Sequence, residues 1–136
     1  MTGEKIFLDT NIIIYAHSHQ DTIKQHIVRK LIITNDFMIS THVIDEFYNI
    51  CSKKLHYSIT ETNQKVHFLL DNYPTVPVYD HTDKIAIYLQ DKYKYHFFDC
   101  LMLASALENK CKFIITEDMQ HGQLIENDLT IFNPFR

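Results

Sequence analysis

The chain has 136 residues, enough for one domain with a sizeable core, and its 46% hydrophobic and 22% charged content is ordinary for a globular protein. A formal net charge of -4 argues against a protein that grips nucleic acid by bulk positive charge. Only two glycines occur, Gly3 and Gly122, which excludes a Walker P-loop, a GxGxxG dinucleotide turn and a GxSxG nucleophile elbow.

In chain order, Lys5-Ile6-Phe7-Leu8 predicts a strand that runs into Asp9-Thr10-Asn11. The run Ile12-Ile13-Ile14-Tyr15-Ala16 reads equally as a strand or a buried helix, and is far too short to span a bilayer. From Asp21 to about Thr34, Ile23, Ile27, Val28 and Leu31 recur at helical spacing. Phe37-Met38-Ile39 predicts a short strand, after which Ser40 or Thr41 caps a helix carrying Val43, Phe47 and Ile50. Ser58 and Glu61 form a capping box for a helix running through Val66 to Leu70. Pro74 and Pro77 break the pattern around an edge strand at Val76–Tyr79. Helices over Lys84–Tyr93 and Phe98–Asn109 follow, then strands at Lys112–Ile115 and Thr130–Phe132. Strands alternating with helices predict an α/β fold, a mainly parallel sheet of four to five strands with helices on both faces.

Four carboxylates stand where chemistry is built. Asp9 and Asp118 follow predicted strands, and open α/β sheets place their sites outside the carboxyl ends of strands. Val43, Glu46, Phe47 and Ile50 share one helical stripe, which puts Glu46 on the apolar face. Asp99 leads a second stripe through Met102, Leu103 and Ala106. Each acid has a plain alternative as a cap, a turn residue or a first-turn acid favouring the helix dipole. Four together point to an oxygen-ligand site for a hard cation such as Mg2+.

The nine histidines are scattered, with no HExxH and no Cys/His set at zinc spacing. Cys51, Cys100 and Cys111 form no CxxC pair and are expected to be buried free thiols. The start Met1–Lys5 lacks the basic and apolar stretches of a signal peptide, so a cytoplasmic location is expected. If the substrate is nucleic acid, Lys53, Lys54, Lys92 and Lys94 are candidates for phosphate contact.

Taken in order, Phe7-Leu8-Asp9-Thr10-Asn11, Ile44-Asp45-Glu46-Phe47, Phe98-Asp99-Cys100-Leu101-Met102-Leu103-Ala104 and Ile115-Thr116-Glu117-Asp118-Met119-Gln120-His121-Gly122 resemble the PIN-domain nucleases, in particular VapC-type toxins of toxin–antitoxin pairs. The resemblance extends over essentially all of residues 1–136 as one three-layer PIN-like domain, and it makes the segment after Asn11 a helix. It implies that Asp9, Glu46, Asp99 and Asp118 bind metal and catalyse, while Asn11 and Thr116 hold ligands and loops in place. It also implies Mg2+ or Mn2+ as cofactor, RNA as substrate, an antitoxin protein as partner and a homodimer. Cys100 departs from the small Ala common after this Asp.

Phosphodiester hydrolysis fits these residues, since a carboxylate-held divalent ion activates water and neutralises developing charge. Two rivals are weaker. A phosphohydrolase with Asp9 as nucleophile would need an acid two residues on, where Asn11 stands. A catalytically inactive PIN-like module for binding protein or RNA has no need to retain all four acids.

Overall fold

The computed structural model describes residues 1–136 and opens with strand β1 (Lys5–Leu8), in which Ile6, Phe7 and Leu8 are all fully buried. Continuous burial without alternation is the mark of a strand covered on both faces. Helix α1 (Thr10–His17) follows at once, so the ambiguous run after Asn11 is helical. Ile12, Ile13, Ile14 and Ala16 are all buried, and a helix apolar on every side belongs inside the fold. Helix α2 (Thr22–Thr34) is capped by Asp21, whose side chain accepts from the Lys24 amide at 3.0 Å.

Strand β2 (Asp36–Ser40) ends in the residue that caps helix α3 (Thr41–Asn49), with Ser40 Oγ accepting from the Val43 amide. The last turn of α3 widens into a π-helical turn over Ile50–Lys54, closed by the Leu55 amide on the Ile50 carbonyl at 3.0 Å. Helix α4 (Ile59–Asn72) starts at the expected box, with Ser58 Oγ accepting from the Glu61 amide at 3.1 Å. Strand β3 is shorter and earlier than Val76–Tyr79, covering Thr75–Val76 before Pro77 stops the ladder. Helix α5 (Asp80–Tyr93) starts four residues before Lys84, with Asp80 and Asp83 in its first turn favouring the dipole. Helix α6 (Phe97–Glu108) buries every residue from Cys100 to Ala106.

Strands β4 (Phe113–Ile115), β5 (Leu124–Ile125) and β6 (Leu129–Phe132) complete the sheet. The order is β3-β2-β1-β4-β6-β5, six strands in place of four to five. The additional strand, β5, pairs antiparallel with β6, and every other pairing is parallel. Helices flank this sheet on both sides in a three-layer α/β arrangement. The chain leaves β1 toward β2 on one side, while β4 lies on the other, so β1 and β4 form a topological switch point. Leu8 pairs with Ile115, which brings Asp9 and Thr116 side by side beyond their carboxyl ends. All three cysteines are free and buried, as expected of thiols used as small hydrophobes. No helix is long and apolar enough to cross a membrane.

Candidate active site

Asp9 is the centre of the site. It caps α1, with Oδ1 accepting from the Thr10 amide at 2.6 Å, and Oδ2 accepts from the Thr116 hydroxyl at 2.6 Å. Only 3% of Asp9 is exposed and Thr116 is fully buried. The Asn11 amide nitrogen donates to Asp118 Oδ2 at 2.7 Å and reaches Asp9 Oδ2 at 3.5 Å, so one side chain bridges two acids. Thr116 also works twice, because its Oγ1 accepts from the Asp118 amide at 3.1 Å. The Thr10 hydroxyl donates to Glu46 Oε1 at 2.6 Å, tying α3 to the start of α1. Asp9, Asn11, Glu46, Thr116 and Asp118 thus form one hydrogen-bonded chain.

Asp99 joins across an open cleft of about 780 Å³, whose walls include Asp99, Asp118, Gln90, Asp91, Lys94 and His96. It lies in the first turn of α6, while His96 occupies the cap position. Among the lysines singled out, Lys94 alone lines the cleft. Lys92 donates instead to Glu126 at 2.6 Å. Lys53 and Lys54 are exposed on the π-helical turn and do not line the cleft.

The electrostatics are those of an uncompensated anion cluster. Burial, reinforced by the charges of Asp99 and Asp118, outweighs the hydrogen bonds from Thr116 and Thr10 and pushes the Asp9 carboxyl up to about 7. Burial and the nearby Asp118 carboxylate also raise Asp99. Glu46 moves the other way: burial pushes it up, but His42 and the Thr10 hydroxyl outweigh burial and hold it below its ordinary value. His42 Nε2 stands 3.6 Å from Glu46 Oε2, just beyond hydrogen-bond reach. The ion pairs of the fold involve Glu117, Glu46, Glu108, Glu126 and Asp91; none involves Asp9, Asp99 or Asp118.

A PIN-domain family model matches residues 6–124. The chain belongs to the PIN-domain family. No curated protein matches the sequence. Among solved structures it resembles a toxin–antitoxin complex from Klebsiella pneumoniae, at 19% identity and a TM-score of 0.71 over 95% of this chain and 97% of that one. It is also similar to Mycobacterium tuberculosis VapC20, described as a sarcin–ricin loop cleaving toxin, at 16% identity and a TM-score of 0.66 over 80% and 86% of the two chains. A third likeness is to VapBC2 from Rickettsia felis bound to a fragment of promoter DNA, at 18% identity and a TM-score of 0.69 over 95% and 99%. At these identities the solved structures speak for the fold.

Three contributors to the PIN site escaped the reading of the sequence. Thr10 lies within the Asp9-Thr10-Asn11 motif, but nothing in its spacing reveals a bond to a helix 36 residues away. His42 precedes Glu46 by one helical turn, a periodicity that was legible. Gln90 reaches the cleft only because α5 runs along it.

Proposed function

We propose that this PIN-domain chain is a divalent-metal-dependent endoribonuclease, the toxin of a toxin–antitoxin pair. The observation that carries the reading is the cleft wall, where Asp99 and Asp118 stand in front of the buried Asp9, which feels both their charges, and none of the three has a lysine or arginine ion-pair partner. Buried or half-buried carboxylates that repel one another call for a cation to compensate them.

The residues fit Mg2+ or Mn2+. All four acids offer hard oxygens, and the buried Asn11 Oδ1 has no hydrogen-bond partner. No three His, Cys, Asp or Glu side chains are gathered around one point as they stand, so binding would draw the acids inward. In this reading Asp9, Glu46, Asp99 and Asp118 supply the ligands, and Asn11 and Thr116 orient them. A bound divalent ion would lower the pKa of an attacking water and neutralise charge developing on the phosphate. Lys94, beside His96 at the rim, would attract the RNA backbone. Burial pushes Glu46 up, but His42 and the Thr10 hydroxyl hold it below its ordinary value, which suits an anionic ligand.

VapC20 is described as a sarcin–ricin loop cleaving toxin and the Klebsiella pneumoniae structure as a toxin–antitoxin complex; these support RNA as substrate and an antitoxin as partner. A homodimer and a cytoplasmic location complete the proposal. The test is cleavage of RNA by purified protein in Mg2+ or Mn2+, with loss of activity in chelator. Cleavage that persists in excess chelator sinks the metal-dependent mechanism. A strictly monomeric mass at micromolar concentration removes the dimer. A protein that binds RNA or an acceptor peptide without ever cutting would be the inactive module.

A further inference from the structure

Between Thr116 and Asp118 stands an acid that faces away from the cleft. As the chain leaves β4, Thr116 turns to Asp9, Asp118 turns to Asn11, and Glu117 turns the opposite way, to Tyr15 and Lys24. Both oxygens of Glu117 are engaged. Tyr15 OH donates to Oε1 at 2.5 Å, and Lys24 Nζ donates to Oε2 at 2.8 Å. The Lys24 ammonium in turn sits 4.7 Å from the ring centroids of both Tyr15 and Phe135. Those two rings meet edge to face at 5.3 Å.

Two helices therefore grip the carboxylate, α1 through Tyr15 and α2 through Lys24, and the C-terminal segment backs both through Phe135. Two residues beyond Asp118, the Gln120 amide donates to Tyr95 OH at 3.1 Å. Asp118 is consequently held between two anchors, one on either side. We propose that Glu117, clamped by Lys24 and Tyr15, is a positioning residue that sets the reach of Asp118 into the cleft and with it the affinity for the divalent ion. The inference rests on the metal-dependent nuclease reading of the site.

An isolated exposed ion pair would contribute little, because solvent screens it and its side chains must be ordered. Glu117 and Lys24 differ from that case. Their side chains are only 23% and 29% exposed, and every polar atom of the carboxylate has a partner. A charge-assisted contact held from two directions fixes orientation as well as distance.

The experiment uses full-length protein with Glu117→Gln, Lys24→Met, the double variant, Lys24→Arg and Tyr15→Phe. Mg2+ affinity is measured by calorimetry without RNA, and RNA cleavage is measured at low and saturating Mg2+. Groups that orient ligands from behind alter metal affinity by about 10–100-fold, and at one remove the low end, roughly 10-fold, is expected for Glu117→Gln and Lys24→Met. The KM for RNA at saturating Mg2+ should not move. The double variant should be no worse than either single one, since both break the same clamp. Lys24→Arg should restore binding, and Tyr15→Phe, which removes one small donor, should fold normally and give an intermediate loss. Metal-free melting temperatures should fall by no more than about 10 °C, so every variant stays folded in the assay. Parent-like Mg2+ affinity in Glu117→Gln and Tyr15→Phe overturns the inference and leaves the nuclease reading standing. Additive losses in the double variant, or no rescue by Lys24→Arg, also overturn it. A parent chain that binds no divalent ion overturns both.

Discussion

Replacing Asp9 by Asn isolates the electrostatic strain of the site. The Asp9 carboxyl titrates near 7 in the folded chain against an ordinary value of 3.8. Below pH 3.8 it is protonated whether the chain is folded or unfolded. Between 3.8 and about 7 the folded chain retains a proton that the unfolded chain has released, so stability falls as pH rises through that window. At about 1.4 kcal/mol per pH unit, the ionised carboxylate destabilises the metal-free fold by roughly 4 kcal/mol at pH 8. Asn is neutral throughout and caps a helix as well as Asp, so its carbonyl can keep the bond from the Thr10 amide. Its NH2 group meets the Thr116 hydroxyl less favourably, costing about 1–2 kcal/mol. Asp9→Asn should therefore be more stable than the parent at pH 8 in chelator by about 2–3 kcal/mol, or roughly 5–10 °C. Near pH 5 the two should melt together, and at pH 4 the parent should lead by about 1 kcal/mol. Thermal unfolding followed by circular dichroism across pH 4–8 measures the crossover, and RNA cleavage by the variant should be undetectable. A variant that melts below the parent at pH 8, or an offset that ignores pH, would refute the argument.

Added Mg2+ should raise the melting temperature of the parent, since a ligand of the folded state at 100 times its Kd contributes about 2.7 kcal/mol. Asp99→Asn should gain much less from the same ion while melting no lower than the parent in chelator; a large metal-free loss would make Asp99 a structural residue. Thr116→Val removes the donor to Asp9 and the acceptor for the Asp118 amide, so it should destabilise the metal-free fold by roughly 1–3 kcal/mol and push the Asp9 titration further up, as read by its carboxyl NMR signal. Lys94→Ala should raise the KM for RNA several-fold at low salt, whereas Lys92→Ala, whose ammonium is held by Glu126, should leave it unchanged; equal effects would contradict the cleft assignment.

Much of this fold was legible because its signals are local. Ser58 and Glu61 announced a helix start, and uninterrupted apolar residues announced strands buried on both faces. The Ile12–Ala16 run was not decidable by pattern, because a helix buried all round has no polar face to give it a period; only the family resemblance made it helical. Strand β5 escaped notice since two residues carry no alternation, and the polar start of α5 hid behind Asp80, His81 and Asp83. The four acids proposed as ligands stand out in the sequence through strand ends and helix stripes. Their connections do not, since Asn11 to Asp118 and Thr116 to Asp9 each span 107 positions. Lys94 and Lys92 looked equivalent. The chain turns left-handed at Lys94, with φ of 67°, and that non-glycine reversal is invisible in a sequence read for Gly at helix ends.

The pairing of β1 with β4 has a consequence in time. Asp9 is made before its partners Thr116 and Asp118, which are more than a hundred residues away. At synthesis rates of roughly 5–20 residues per second, a nascent chain passes about 5–20 s with an incomplete site. Any hydrolysis that needs Asp9 and Asp118 together must wait until β4 exists and the crossovers have closed. A chain able to destroy RNA would thus be harmless to its own message until β4 had docked beside β1 and brought Asp118 to Asn11.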